Sequence, residues 1–171
     1  MKSFEIQSAN TGDENILCDI FLSHINTHKE YISHGEIQMG VGEGEFLDGV
    51  FMTRPAPDAR ENWLKYIHGN ITENDRAAVY KAVVGEDIAG FCVAEILEDG
   101  AEPFGMVCDV LVRESFRTGG IGTALLDAAI SWLRSKGIKD IYLESGQNNH
   151  SAHEYFIRRG FRKVSEIYKL A

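Results

Sequence analysis

The sequence predicts an α/β (α+β) domain on a mixed, mostly antiparallel sheet with one parallel pair of strands. Three observations carry this. Residues 107–112 form an apolar, β-branched run interrupted by Asp109, which reads as a buried strand. Beyond it, Ile121, Ala124, Leu125, Ala128 and Trp132 recur three and four apart, as on one face of a helix, and residues 138–144 read as another strand. A strand, a helix and a strand in succession make a crossover, which sets the strands around 107–112 and 138–144 parallel. Finally, residues 77–84 and 88–97 flank Gly85-Glu86-Asp87 and read as an antiparallel hairpin.

The elements follow in order. The 171 residues, 44% apolar and 25% charged, match a single globular domain over 1–171. Met1-Lys2-Ser3-Phe4 opens no signal-peptide pattern, and no apolar run reaches membrane-spanning length. Cys18, Cys92 and Cys108 show no metal or disulfide spacing, so a cytoplasmic protein without a membrane partner is expected. Residues 3–7 alternate as a first strand. Residues 13–32 read as a helix capped by Thr11 or Asp13, with Ile16, Leu17, Ile20, Phe21, His24 and Ile25 inward. His24 and His28 lie one turn apart and His34 follows, but no carboxylate or cysteine pattern completes a metal site, so no metal is expected.

Residues 34–57 hold five glycines and the acidic Glu43, Glu45 and Asp48, and read as a long irregular segment. Pro57-Asp58 starts a helix to about residue 70, with Trp63, Ile67 and Tyr66 inward. A turn at 98–103 leads to the central strand from Phe104. The next helix, 120–136, closes at Gly137, a C′ glycine. After 138–144, a helix over 149–159 ends at Gly160, and 161–170 reads as a final strand.

The turn between the central strand and its helix is Arg117-Thr118-Gly119-Gly120-Ile121-Gly122. A helix start carries unpaired N–H groups and the positive dipole end, and glycines let backbone approach a ligand, so this is a phosphate cradle. No Lys-Ser/Thr pair follows, which excludes a P-loop. A dinucleotide fingerprint would have Gly120-x-Gly122 and an acid at Glu144. It conflicts with Leu125 at the third small position and with five residues between strand and glycines. The acyl-coenzyme A pattern Arg/Gln-x-x-Gly-x-Gly/Ala is met by Arg117-x-x-Gly120-x-Gly122 without mismatch.

The net charge of −9 argues against nucleic-acid binding. Residues 1–112 hold 7 Lys/Arg against 20 Asp/Glu, and residues 113–171 hold 10 against 6. The cationic part carries the cradle for a polyanionic coenzyme. The anionic part favours a cationic amine as acceptor, although acidic loops also serve solubility alone.

With Arg117-x-x-Gly120-x-Gly122 between strand and helix, then Asn149-x-x-Ala152 and Gly160-Phe161, the chain resembles the GNAT superfamily of N-acetyltransferases. The likeness is close over 107–161 and loose over 77–98. It implies a GNAT-like sheet with helices on both faces, acetyl-CoA as acyl donor, a small-molecule amine acceptor and no metal cofactor. It allows a homodimer, since the open sheet often pairs with another subunit. It also implies roles. Backbone groups of Val110, Leu111 and Val112 hold the pantetheine arm, and one N–H polarises the thioester carbonyl. Amides of Thr118, Gly119, Gly120, Ile121, Gly122 and Thr123 hold the pyrophosphate beside Arg117, and Asn149 bonds the pantetheine or thiol side. The 34–57 segment becomes an acceptor-side lid.

Two carboxylates compete to be the general base. Asp109 lies within an apolar strand, where desolvation raises a carboxyl toward a useful range. Glu95, on the neighbouring strand, could act through water. Burial favours Asp109. The family's tyrosine seven residues after the motif asparagine is here Phe156. Tyr155 precedes it, about 100° away around a helix. The reading is an acetyl-CoA-dependent N-acetyltransferase, with a non-catalytic acyl-CoA-binding or regulatory module on the same fold as the alternative.

Overall fold

A computed structural model describes residues 3–73, 75–98 and 100–170, so the expected 98–103 turn falls partly outside the described residues. In chain order the elements are β1 (Glu5–Ser8), α1 (Glu14–Thr27), α2 (His34–Gln38), β2 (Gly42–Leu47), β3 (Val50–Pro55) and α3 (Ala59–Thr72). They continue with β4 (Ala77–Val84), β5 (Asp87–Leu97), β6 (Phe104–Val112), α4 (Ile121–Ser135), β7 (Ile141–Leu143) and α5 (His150–Arg158). The chain forms two compact units, Met1–Phe21 with Leu64–Leu143 and Leu22–Trp63 with Glu144–Ala171.

The first unit holds a five-stranded sheet, β1-β4-β5-β6-β7, antiparallel except for the parallel β6–β7 pair. This is the mixed sheet expected from the hairpin and the crossover. Its two faces follow from strand alternation. One face meets α4: a Cβ added at Gly105 would lie 2.8 Å from Leu133 Cδ1, so glycine here lets helix and strand close up. Leu125, Leu126, Ala129 and Leu133, at helical spacing along α4, are fully buried. Ile67 of α3 and Leu17 and Phe21 of α1 are buried as well.

Lys81 of β4 meets Asp13 at 2.7 Å, both side chains nearly buried. Asp13 also accepts the backbone N–H of Asn10, while Asn10 Oδ1 accepts from Gly12, a reciprocal capping box. Asn10 therefore caps the 3-10 turn Thr11–Asp13 that leads into α1. Lys81→Met should lower stability by about 3 kcal/mol, since it leaves a carboxylate largely buried without its cation. The midpoint of chemical denaturation checks this.

α1 ends at Thr27, five residues short of the expected 32. Asn26 Nδ2 and Thr27 Oγ1 bond back to the carbonyls of Leu22 and Ser23, and His28 leaves the helical region at φ −122°, ψ 63°. β7 covers only Ile141–Leu143 rather than 138–144. Arg134 Nη1 donates to the carbonyls of Ile138 and Lys139, which ties that stretch to the end of α4.

In the second unit the expected irregular segment is ordered. α2 is capped by Ser33, with Glu36 completing a capping box, and β2 pairs with β3 in an antiparallel hairpin. Asp48 (φ 49°) and Gly49 (φ 80°) form its two-residue turn, and Leu47 pairs with Val50. Both turn residues need positive φ, which Asp-Gly supplies; that dipeptide was the signal for a hairpin. The expected strand over 161–170 does not form. Val164, Tyr168 and Leu170 are exposed, and Lys169 is tied to the Gly44 carbonyl at 3.1 Å. Strand propensity needs a ladder partner and a buried face, and these residues gain neither.

Candidate active site

The turn after β6 begins with a 3-10 turn, Glu114–Phe116, and reaches α4 through Arg117 to Gly120. Thr118 (φ 69°) and Gly120 (φ 80°) both adopt the left-handed region, a backbone conformation that recurs in anion-binding turns. Arg117 Nε donates to the Val112 carbonyl at 3.1 Å, fastening the turn to the strand end. No side chain caps α4 at Gly120. Gly122 sits in the first helical turn, where Ala would favour the helix by about 1 kcal/mol. A Cβ there would meet only Val112 Cγ2, at an ordinary 3.6 Å. Neither backbone nor packing demands glycine at 122, so what it keeps open is room beside the helix start. A cleft of about 300 Å³ borders the turn, lined by Val84, Ser115, Phe116, Arg117, Thr118 and Gly119. The arrangement fits an anionic, phosphate-bearing ligand.

The strand feeding this turn has an open side. β6 pairs with β7 only through Gly105, Met106 and Val107. Val110, Leu111 and Val112 pair with Cys92, Phe91 and Gly90 of β5 and have no β7 partner. The Arg113 N–H donates to Ala89 of β5 at 2.8 Å. By alternation the Leu111 peptide groups also face β5, while those of Val110 and Val112 face the open side. The Arg117 bond to the Val112 carbonyl agrees with this.

A β-bulge decides where Asp109 points. Val93 of β5 pairs with Asp109, but the next residue, Ala94, pairs with Val107, so Cys108 is the extra residue. Gly105 faces α4, so Val107 does too, and regular alternation would send Asp109 the same way. The bulge shifts the parity and turns Asp109 to the α3 face. There Asp109 Oδ2 accepts the Tyr66 hydroxyl at 2.8 Å. Glu95, opposite Met106, lies on this face as well. The expected burial of Asp109 is partial: it is half-buried and hydrogen-bonded.

The electrostatics follow. Burial pushes the Tyr66 hydroxyl well above the usual phenol range, and Asp109, Cys108 and Glu95 add to the shift. Burial likewise raises the Cys108 thiol, with Glu95 and Asp109 contributing, and raises the Cys92 thiol, with Asp109 contributing. These thiols stay protonated near neutral pH, which argues against a cysteine nucleophile. A second cleft, about 320 Å³, is lined by Tyr66, Asn70, Glu73, Arg76 and Glu95.

The first unit thus brings together Glu95, Asp109, Val110, Leu111, Val112 and the whole turn from Arg117 to Thr123. Asn149 lies in the second unit, where its Oδ1 caps α5 by accepting from Ala152 at 3.4 Å. Phe156 packs edge-on to Phe161, ring centroids 6.0 Å apart, and its neighbour Tyr155 is half-buried. His24, His28 and Tyr31 form a ring cluster, with His28 stacked on Tyr31 at 4.8 Å. Among the described residues no group of three or more His, Cys, Asp or Glu could hold a metal, and no helix is long and apolar enough to cross a membrane. Sequence reasoning took Tyr66 only as an inward residue of α3. Its polar end carries the added information, and nothing local said that it would meet Asp109.

Known proteins resemble this chain in sequence and in fold. GCN5-related N-acetyltransferase 6, chloroplastic, of Arabidopsis thaliana is 28% identical over 80 residues, 47% of this chain and 28% of that one. An uncharacterized N-acetyltransferase of Methanocaldococcus jannaschii is 30% identical over 106 residues, 52% of this chain and 46% of that one. The chain therefore spans less than half the length of either relative. The structure of aminoglycoside N-acetyltransferase AAC(6′)-Iy in complex with CoA superposes with a TM-score of 0.69 over 99% of this chain and 94% of that one, at 15% identity, a likeness of fold. The sequence profile of the acetyltransferase (GNAT) family matches residues 45–161, more than half of the chain, and the chain belongs to that family.

Proposed function

We propose that this protein transfers an acetyl group from acetyl-CoA to a primary amine, a small cationic metabolite. The observation that carries the reading is the open side of β6, which leads straight into a glycine turn whose helix no side chain caps. Bound acetyl-CoA supplies an already activated thioester. The work of the chain is then to hold, orient and deprotonate. In this reading the amides from Thr118 to Thr123, with Arg117 beside them, take the pyrophosphate. The peptide groups of Val110 and Val112 take the pantetheine arm, one N–H polarising the carbonyl, and Leu111 fixes the strand against β5. Asn149 bonds the thiol side. Asp109 removes the proton that an ammonium must lose before it can attack. The protonated Cys92 and Cys108 thiols favour direct transfer over a covalent enzyme intermediate. The acidic balance of residues 1–112 supports a cationic acceptor.

Acetyl-CoA turnover measured across a panel of small amines, with coenzyme A binding followed by calorimetry, tests the proposal. Turnover with cationic amines supports it. Tight coenzyme A binding without turnover on any amine makes the chain a binding module instead. Phe156 bears on the leaving thiolate. With no side chain protonating it, Tyr155→Phe should leave kcat within about twofold, against the 10²-fold or more expected of a lost general acid. A hundredfold fall at intact coenzyme A affinity would make Tyr155 the acid.

A further inference from the structure

We propose that Tyr66 is a positioning residue, whose hydroxyl holds the Asp109 carboxylate ionised and aimed for proton removal from the acceptor. This rests on Asp109 being the base. Three observations carry it. The Tyr66 hydroxyl donates to Asp109 Oδ2 at 2.8 Å across 43 residues of sequence, so the contact is a product of the fold. The bulge at Cys108 turns Asp109 to this face, where α3 supplies the phenol. And Tyr66, with Glu95, lines the 320 Å³ cleft, so the bond to Asp109 is made by a residue at the wall of open space.

Its chemistry decides between two roles. A phenol that relays the proton must lose its own. Burial and the carboxylates Asp109 and Glu95 all favour the neutral phenol, so Tyr66 keeps its proton and donates a hydrogen bond. A donor to a carboxylate favours the ionised form, and removing it makes the carboxylate easier to protonate. Among the described residues, Cys92 and Glu95 of β5 and Cys108 of β6 act on this pair, and Lys65, Glu73 and Arg76 line the cleft beside Tyr66; Tyr66→Phe leaves all of them in place.

The test follows the Asp109 carboxyl carbon by NMR through a pH titration of the whole 13C-labelled protein, the signal assigned by its loss in Asp109→Asn. Glu95→Gln separates the neighbouring carboxyl. In Tyr66→Phe the Asp109 midpoint should rise by about one pH unit, the worth of one hydrogen bond to a charged group. The rising limb of kcat/KM, with acetyl-CoA and whichever amine the panel selects, should move by the same amount. Above both limbs the rate should return to within about threefold of wild type, which a merely structural loss would not do. Replacing Tyr66 with 3-fluorotyrosine, a stronger donor of nearly the same shape, should move the midpoint the other way, and serves if Tyr66→Phe fails to fold. An unmoved Asp109 midpoint overturns the proposal whatever the activity does. A midpoint that moves while the rate limb stays, with Asp109→Asn still active, overturns the base assignment and the catalytic role of Tyr66 with it.

Discussion

Asparagine in place of Asp109 should lower turnover about 10²- to 10⁴-fold near neutral pH, the usual worth of a general base. The substitution is close to neutral in shape. The amide oxygen of Asn still accepts the Tyr66 hydroxyl, so the bond now formed at 2.8 Å survives and the fold should hold. What is lost is the capacity to take a proton, and with it the rising limb of the pH profile. Coenzyme A affinity should barely change, because the peptide groups of Val110 and Val112 and the turn from Arg117 to Thr123 are untouched. Glu95→Gln is the comparison that decides between carboxylates, since Glu95 shares the same face of the sheet and lines the nearby cleft. If Glu95→Gln loses activity and Asp109→Asn keeps it, the base is Glu95.

Gly120→Glu should abolish coenzyme A binding. It sets a negative charge at the start of α4, on the turn read as the cradle for a pyrophosphate. Space is not the obstacle: a Cβ at Gly120 meets nothing within 4 Å. The backbone is, because φ is +80° there, and a non-glycine residue costs about 1–2 kcal/mol in that conformation. A modest fall in stability will therefore accompany the loss of binding. Gly120→Asn separates the two effects, since Asn tolerates left-handed backbone and adds no charge. It should keep the fold and retain most of the affinity. Calorimetry with coenzyme A decides, and unchanged affinity in Gly120→Glu would remove the basis for the acyl-CoA reading.

The turn and the strand before it were legible because their signals are local. Arg117-x-x-Gly120-x-Gly122 sits between an apolar run and a helical stripe, and each part depends on residues a few positions away. The hairpin of β4 and β5 was legible for the same reason. The Asp48-Gly49 turn was equally local, yet the surrounding glycines and acids masked it as a loop. The expected strand over 161–170 shows the opposite error. Its residues suit a strand, but a strand exists only where another offers a ladder, and that is not written in ten residues of sequence.

What the sequence determined by itself was the order of elements around the central crossover, the family motif and the short list of carboxylates. All of these rest on spacing along the chain. The tertiary structure alone decided which way Asp109 points and what it meets. Its side is set by one extra residue, Cys108, in the pairing of β6 with β5, and register is a relation between strands that neither strand encodes alone. Its partner, Tyr66, comes from a helix 43 residues earlier, brought there because Ile67 of the same helix is buried. Hydrophobic burial placed the helix, and a polar hydroxyl on the edge of its buried face found the carboxylate that a bulge had turned toward it.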